Sequence, residues 1–256
     1  MKQNIAVDRP AQSASPTRIV VACLGTSSTA GRGQAYDYIG ELKRRSRNSR
    51  FDFRNFGVGG DLAYNALQRL PQVIASRPEK VVVWVGANDV LAQVSAKVKR
   101  FFCLSKHIPA EPSLEWFRDN ICAIVHRLKV ETTACVALCS LPPIGEDPTS
   151  SVAFQNTLNR CIAEYSETIR DIALKENIGY IPLHEAILAK IQESPGRALT
   201  SFRFLPLYRD AFRVIVLRKT PDEVAKLNGW RFHSDGIHLN SRGGMIATAL
   251  IQQFID

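Results

Sequence analysis

Five short runs dominated by valine, isoleucine, leucine and phenylalanine limit what this chain can fold into: Arg18 to Leu24, Phe51 to Phe56, Lys80 to Val85, Ala134 to Leu141 and Ile178 to Leu183. A short apolar run without polar alternation suits a strand buried on both faces, as in a parallel sheet. Segments of helical periodicity separate the runs. Leu114, Phe117, Ile121, Ile124 and Leu128 make one stripe, with Ser113 placed to cap it, and Leu158, Ile162, Tyr165, Ile169 and Ile172 make another. Strands alternating with helices predict an α/β fold with a mostly parallel sheet covered on both faces.

A chain of 256 residues, 45% of them apolar, can bury one sizeable core. No internal repeat, low-complexity tract or Gly/Ser linker divides it, so one domain is expected over residues 1–256, with an extended N-terminus to about residue 16. The long interval between the fifth run and Ser234 reads as a helical insertion. Pro206 can open a helix with Tyr208, Phe212 and Ile215 on one face, Thr220 to Glu223 forms a capping box, and Gly229 can end the second helix. The stretch at about 197–230 is expected to form a lid or acyl-pocket wall, or a docked helical hairpin, and contact with a membrane surface is a weaker option.

The formal charge of +9 permits an anionic partner without demanding one. Its densest cluster, Lys43, Arg44, Arg45, Arg47 and Arg50, is expected at the end of the first helix, where cations complement the helix dipole. No aromatic platform is interleaved with it, so no nucleic-acid partner is expected. Six cysteines sit mostly in apolar runs and are expected to be buried free thiols in a reducing compartment. Cys135 and Cys139 lack a second cysteine or histidine pair at metal spacing, so no zinc is expected. With neither a signal-peptide stretch nor a run of membrane-span length, the expectation is a soluble, cytoplasmic protein.

In open parallel sheets, ligands bind beyond the carboxyl ends of the strands. The first strand leads into Gly25-Thr26-Ser27-Ser28-Thr29-Ala30-Gly31, a small-residue loop able to expose a hydroxyl. The second ends in Asn55-Phe56-Gly57-Val58-Gly59-Gly60-Asp61, whose glycines let a backbone N–H approach a ligand. The third ends in Gly86-Ala87-Asn88-Asp89, which offers an amide donor and a carboxylate. Taken singly, these are ordinary turns and caps. Asp235-Gly236-Ile237-His238, near the C-terminus, changes their weight. A serine hydroxyl needs a base at neutral pH, and a histidine serves best when a carboxylate fixes its tautomer. Asp89 is expected to brace its loop and His233 to line the rim. A metal reading of His233, Asp235 and His238 leaves the donors at the strand ends without a purpose.

These blocks, in this order and after these strands, resemble the SGNH (GDSL) hydrolase family across nearly the whole chain. The resemblance implies Ser27 as nucleophile, Asp235 and His238 as the rest of a catalytic triad, and an oxyanion hole built from Ser27, Gly60 and Asn88. It further implies a flavodoxin-like three-layer α/β/α fold with a five-stranded parallel sheet, and carboxylic ester hydrolysis without a cofactor. One departure is that the family's Gly-Asp-Ser stands here as Gly25-Thr26-Ser27. Thr26 keeps a hydrogen-bonding oxygen but no charge.

Two readings from other classes stay open at this point. One is a flavin-binding, flavodoxin-like module, whose phosphate loop is also rich in Ser and Thr, as Thr26 to Thr29 are. The other is a catalytically idle relative, suggested by Thr26. The chain has no Gly-x-Ser-x-Gly elbow around Ser27, no complete dinucleotide fingerprint and no Gly-Lys-Ser/Thr after the first strand. The expected partner is a small-molecule ester. Apolar residues between Phe202 and Leu217 lean toward an acyl or lipid-like ester, with an acetylated sugar or a thioester as alternatives.

Overall fold

A computed structural model describes residues 18–33, 35–201 and 204–256. The five apolar runs form five parallel strands: β1 (Ile19–Gly25), β2 (Phe51–Gly57), β3 (Lys80–Trp84), β4 (Cys135–Cys139) and β5 (Gly179–Ile181). Their order is β2-β1-β3-β4-β5, the doubly wound flavodoxin-like arrangement. Strand bounds differ from the sequence reading by a few residues at most. β5 is the shortest because only Gly179 to Ile181 pair with β4.

Between β1 and β2 lie α1 (Ser27–Ala30) and α2 (Tyr38–Arg44), and between β2 and β3 lie α3 (Ala63–Gln68) and α4 (Leu70–Ala75). The β3 to β4 crossover holds α5 (Ala87–Val94), α6 (Ala96–Lys106) and α7 (Leu114–Glu131), and α8 (Ala153–Lys175) joins β4 to β5. After β5 come α9 (Leu183–Glu193), α10 (Phe204–Ile215), α11 (Pro221–Asn228) and α12 (Ser241–Ile255). Helices α2, α9 and α12 pack together on one side of the sheet, and α3, α4, α5, α7 and α8 on the other. This is the expected three-layer α/β/α fold.

The helical stripes are core faces. Phe117, Ile121, Ile124 and Leu128 on α7, and Leu158, Ile162 and Tyr165 on α8, are essentially inaccessible. Each such side chain contributes about 1.5–3 kcal/mol by leaving water. The Phe117 and Tyr165 rings meet at 4.6 Å and join the two helices. Ser113 caps α7 by accepting from the Trp116 N–H, as expected.

Three sequence expectations need correction here. Only Cys23, Cys139 and Cys161 are buried; Cys103 is half-buried, while Cys122 and Cys135 are exposed. Cys122 falls between the buried positions of α7 and points outward, and Cys135 is the first residue of its strand. The insertion's first helix starts at Phe204, two residues before Pro206. The basic cluster is only partly a helix end: Lys43 and Arg44 close α2, but Arg47 and Arg50 follow it. Arg44 and Arg45 pair with Glu41, and Arg47 with Asp256. The capping box at Thr220 and the left-handed Gly229 appear as read. The extended segment to residue 16 lies outside the described residues, as does Phe202. Among the described residues, no helix is long and apolar enough to cross a membrane.

The register brings Gly25, Gly57 and Trp84 into line at the carboxyl edge of β1, β2 and β3. Gly57 has no room for a side chain, because a Cβ there would come within 2.2 Å of the Ala30 backbone nitrogen. Gly57→Ala should therefore push α1 off β2 and cost about 1–3 kcal/mol. A urea unfolding midpoint unchanged from the parent would contradict this account of the packing.

Candidate active site

Ser27 opens α1 two residues beyond the end of the interior strand β1. The turn is closed by the Ala30 N–H donating to the Thr26 carbonyl and by Gly31, in the left-handed conformation, donating to the Ser27 carbonyl. Thr29 is fully buried beneath it, in reach of the Tyr38 hydroxyl at 3.4 Å. Thr26 is also buried and makes no side-chain cap bond, so its backbone supports the turn where the family pattern has a carboxylate.

Asp235 and His238 arrive on a tight excursion between Phe232 and Asn240. Its neck is closed by the Ser234 N–H on the His238 carbonyl at 2.8 Å and the Asn240 N–H on the Phe232 carbonyl at 3.0 Å. Asp235 Oδ1 accepts from the Ile237 and His238 N–H groups at 3.0 and 2.8 Å, and Oδ2 lies 2.7 Å from His238 Nδ1. His238 Nε2 lies 2.8 Å from Ser27 Oγ, joining residues 211 apart in the chain. Burial works against the Asp235 charge, but His238 and the two N–H groups outweigh it and hold the carboxyl below the usual range. Burial also works against a charged His238, and the Asp235 carboxylate outweighs it, leaving the imidazole above its ordinary value. An ionised carboxylate can only accept, so the ring proton sits on Nδ1 and the Nε2 lone pair faces the serine hydroxyl. The arrangement can therefore take a proton from Ser27 and hold the resulting positive charge.

The loop after β2 passes close to the serine: a Cβ built on Gly59 would lie 3.9 Å from Ser27 Cβ. Gly60 has a φ of +76°, a conformation that favours glycine. A clamp invisible in the sequence holds this loop. The almost inaccessible Asp61 carboxylate takes Arg69 Nε at 2.7 Å and Lys106 Nζ at 2.9 Å. Arg69 also donates to the Phe56 and Gly25 carbonyls, and Lys106 to the Gly59 carbonyl. Asn88, on the first turn of α5, donates one amide N–H to the Asp61 carbonyl at 2.8 Å. Asp89 turns away from these groups and braces the start of α3 by accepting the Ala63 N–H at 3.1 and 3.2 Å. Burial pushes its carboxyl up to about 7.

His233 does not line the rim, contrary to expectation: its side chain is inaccessible, because it is drawn inward onto Glu146, which is equally inaccessible. With His233 facing Glu146 and Pro143 while His238 faces Asp235 and Ser27, these side chains do not converge on a shared point.

Beside the Asp235 loop lies a cavity of about 470 Å³, lined in part by Arg197, Leu199, Arg209, Arg213 and Trp230 and reaching Asp235 and Ile237. Residues of the insertion form one wall, with Leu199, Leu227 and Trp230 lining it beside the polar side of α10. Tyr208, Phe212 and Ile215 are more than half exposed, whereas Arg209, Asp210 and Arg213 face the cavity.

The model of the GDSL-like Lipase/Acylhydrolase family matches residues 23–244. No curated protein matches the chain significantly. Among solved structures, the chain is similar to AlAXEase, an acetyl xylan esterase, at 21% identity and a TM-score of 0.62, covering 93% of this chain and all of that one. It is also similar to Axe2, an acetylxylan esterase from Geobacillus stearothermophilus, at 16% identity and a TM-score of 0.62, covering 94% of this chain and 96% of that one. A lipase/acylhydrolase from Enterococcus faecalis aligns at 19% identity and a TM-score of 0.59, covering 93% and 95%. At these identities the structural likeness speaks for the fold.

The balance of burial and charge at His238 generates a titration test. Its imidazole should titrate above the ordinary 6.5, followed by NMR of the ring protons. In Asp235→Asn the midpoint should move down, because burial then opposes the charged ring without a counterion. A midpoint that does not fall would contradict the assigned balance.

Proposed function

Since the chain belongs to the GDSL-like lipase/acylhydrolase family, and is a carboxylic ester hydrolase, we propose that Ser27, His238 and Asp235 carry its reaction as nucleophile, general base and orienting carboxylate. The observation behind this reading is the unbroken hydrogen-bonded line from Asp235 through His238 to Ser27, with contacts of 2.7 and 2.8 Å.

The Ser27 proton passes to His238 Nε2 as Oγ attacks the ester carbonyl carbon, giving a tetrahedral intermediate and an imidazolium steadied by Asp235. The imidazolium then gives its proton to the departing alcohol oxygen as the C–O bond breaks, leaving an acyl-enzyme. Water loses a proton to the same Nε2, attacks the acyl carbon, and releases the acid as Ser27 takes its proton back. Charge on the carbonyl oxygen is met by the Ser27 and Gly60 N–H groups and by the amide hydrogen of Asn88 not given to Asp61. Such donors are each worth about 3 kcal/mol.

For the substrate, the cavity beside Asp235 favours a short acyl group on a polar, carbohydrate-like alcohol. Its insertion wall offers guanidinium groups, a carboxylate and, from Asn228, an amide, beside Leu199, Leu227 and Trp230, while Tyr208, Phe212 and Ile215 of α10 are exposed away from it. Two of the similar solved structures are acetyl xylan esterases. The exposure of Tyr208, Phe212 and Ile215 removes these three residues from the lean toward a lipid-like ester. Family membership leaves the flavin module without support, and the hydrogen-bonded Ser27 argues against an idle scaffold.

A fluorophosphonate should label the parent but not Ser27→Ala, and both Ser27→Ala and His238→Ala should lose nearly all esterase turnover while staying folded. Turnover retained by His238→Ala would remove the general base from the scheme. Asn88→Ala should lower kcat by about 10²- to 10³-fold with little change in KM. In a series of nitrophenyl esters, kcat/KM should peak at acetate; a rise toward octanoate would restore the acyl-chain reading.

A further inference from the structure

Outside the proposed triad, the chain buries a second carboxylate and imidazole in contact, Glu146 and His233, both inaccessible to solvent. Glu146 lies in the loop between β4 and α8, 87 residues before His233. Its carboxylate is saturated with donors from one short stretch. Oε1 accepts the Phe232 N–H at 2.6 Å and the His233 N–H at 2.7 Å, and faces His233 Nδ1 at 2.9 Å. Oε2 accepts the Arg231 N–H at 2.7 Å. The other ring nitrogen of His233, Nε2, is 3.0 Å from the Pro143 carbonyl, which can only accept, so Nε2 carries a proton. Thus residues 231–233, the strand of chain that leads directly into Asp235, hang on one side chain.

The backbone around Glu146 grips the same excursion from a second side. The Gly145 N–H donates to the Gly236 carbonyl at 2.8 Å, inside the Asp235 to His238 turn, and Gly236 has a φ of +90°. Glu146 also exchanges backbone bonds with 196–197: its N–H donates to the Arg197 carbonyl at 2.8 Å, and its carbonyl accepts the Gly196 N–H at 2.7 Å. Burial alone would raise the Glu146 carboxyl, but His233 and the backbone donors more than offset it and keep the group below the usual carboxylate range. A buried charge this completely satisfied is costly to disturb on one side, because what remains is an unpaired group without water.

We infer that Glu146, acting with His233, is a positioning residue for the reaction: it fixes the Asp235 to His238 turn against the β4 to α8 loop so that His238 Nε2 stays on Ser27 Oγ. The inference rests on the triad reading above. Neither residue touches the serine or the ester; their effect passes through the backbone of 231–236. A carboxylate is needed rather than an amide, because every group pointing at it is a donor, and a glutamine would turn its own N–H groups toward one of them.

The test measures Glu146→Gln and His233→Asn beside the parent and Ser27→Ala. Glu146→Gln should lower kcat by about 10²-fold, the scale of a reacting group displaced by about 1 Å, with KM within about threefold. The far-downfield NMR resonance of the proton between His238 Nδ1 and Asp235 should weaken or shift in this variant, while Ser27→Ala keeps it. His233→Asn, which leaves the backbone bonds to Glu146 in place, should lower kcat less, by about tenfold, and the double variant should be no worse than Glu146→Gln alone. A folded Glu146→Gln with parental kcat and a parental downfield proton would overturn the inference. Should Glu146→Gln not fold, the same two readouts on His233→Asn decide it, parental values again overturning it. Turnover kept by Ser27→Ala would instead sink the triad reading itself, and with it the premise for this one.

Discussion

The hydrogen bond between Ser27 and His238 joins two stretches of chain 211 residues apart, and it survives only if both are held within a few tenths of an ångström. The sheet holds the first. Ser27 follows β1, an interior strand flanked on both sides with Val21 to Leu24 completely inaccessible, and α1 is pressed onto Gly57 of the neighbouring strand. The second stretch has no such support. Asp235 and His238 lie on an irregular turn outside the sheet, so their placement depends on hydrogen bonds to other loops.

Those bonds explain why so much charge is buried near the rim. Asp61, Glu146 and Asp235 are carboxylates with almost no access to water, a position costing several kcal/mol each unless their oxygens are satisfied. Asp61 is met by Arg69 and Lys106, Glu146 by His233 and three N–H groups, and Asp235 by His238 and two N–H groups. Asp61 ties its loop to Arg69 and to Lys106 of α6, Glu146 ties residues 231–233 to the loop after β4, and Asp235 closes its own turn. Their value lies in the geometry they impose more than in net stability, since an apolar replacement of the same shape could be as stable but could not direct a turn.

The sheet was legible from sequence because burial on both faces leaves unbroken apolar runs, and α7 and α8 because a 3.6-residue stripe is a local signal. The meeting of Ser27, Asp235 and His238 was legible because Asp-x-x-His puts a carboxylate and an imidazole on one turn, and Ser27 sits where a strand must end. The clamps were not. Glu146 and His233 are 87 residues apart, and Lys106 and Asp61 are 45 apart, with no periodicity to announce either pair. His233 in particular stands two residues from Asp235 and reads as a rim residue until its partner is known. Burial of Cys122 and Cys135 was misjudged for a related reason: an apolar run contains outward positions as well as inward ones.

The insertion is the clearest case of local pattern and tertiary position disagreeing. Helix α10 carries Phe212 and Ile215 on one face and would ordinarily turn that face inward. Instead the Asp210 side faces inward: its nearly inaccessible carboxylate takes Arg213 of the same helix at 2.8 Å and, across to α11, the Asn228 amide at 2.7 Å. Turning the helix over would keep the Asp210–Arg213 pair, since both residues are on α10, but would break the bonds that Arg209, Asp210 and Arg213 make to Asn228 at the end of α11. These bonds hold the polar side of α10 toward α11 and the cavity beside Asp235. Arg209, Asp210 and Arg213 can hydrogen-bond hydroxyl groups there, and Leu199, Leu227 and Trp230 stand beside them, so a segment whose exposed stripe is apolar presents a mixed lining to the cavity.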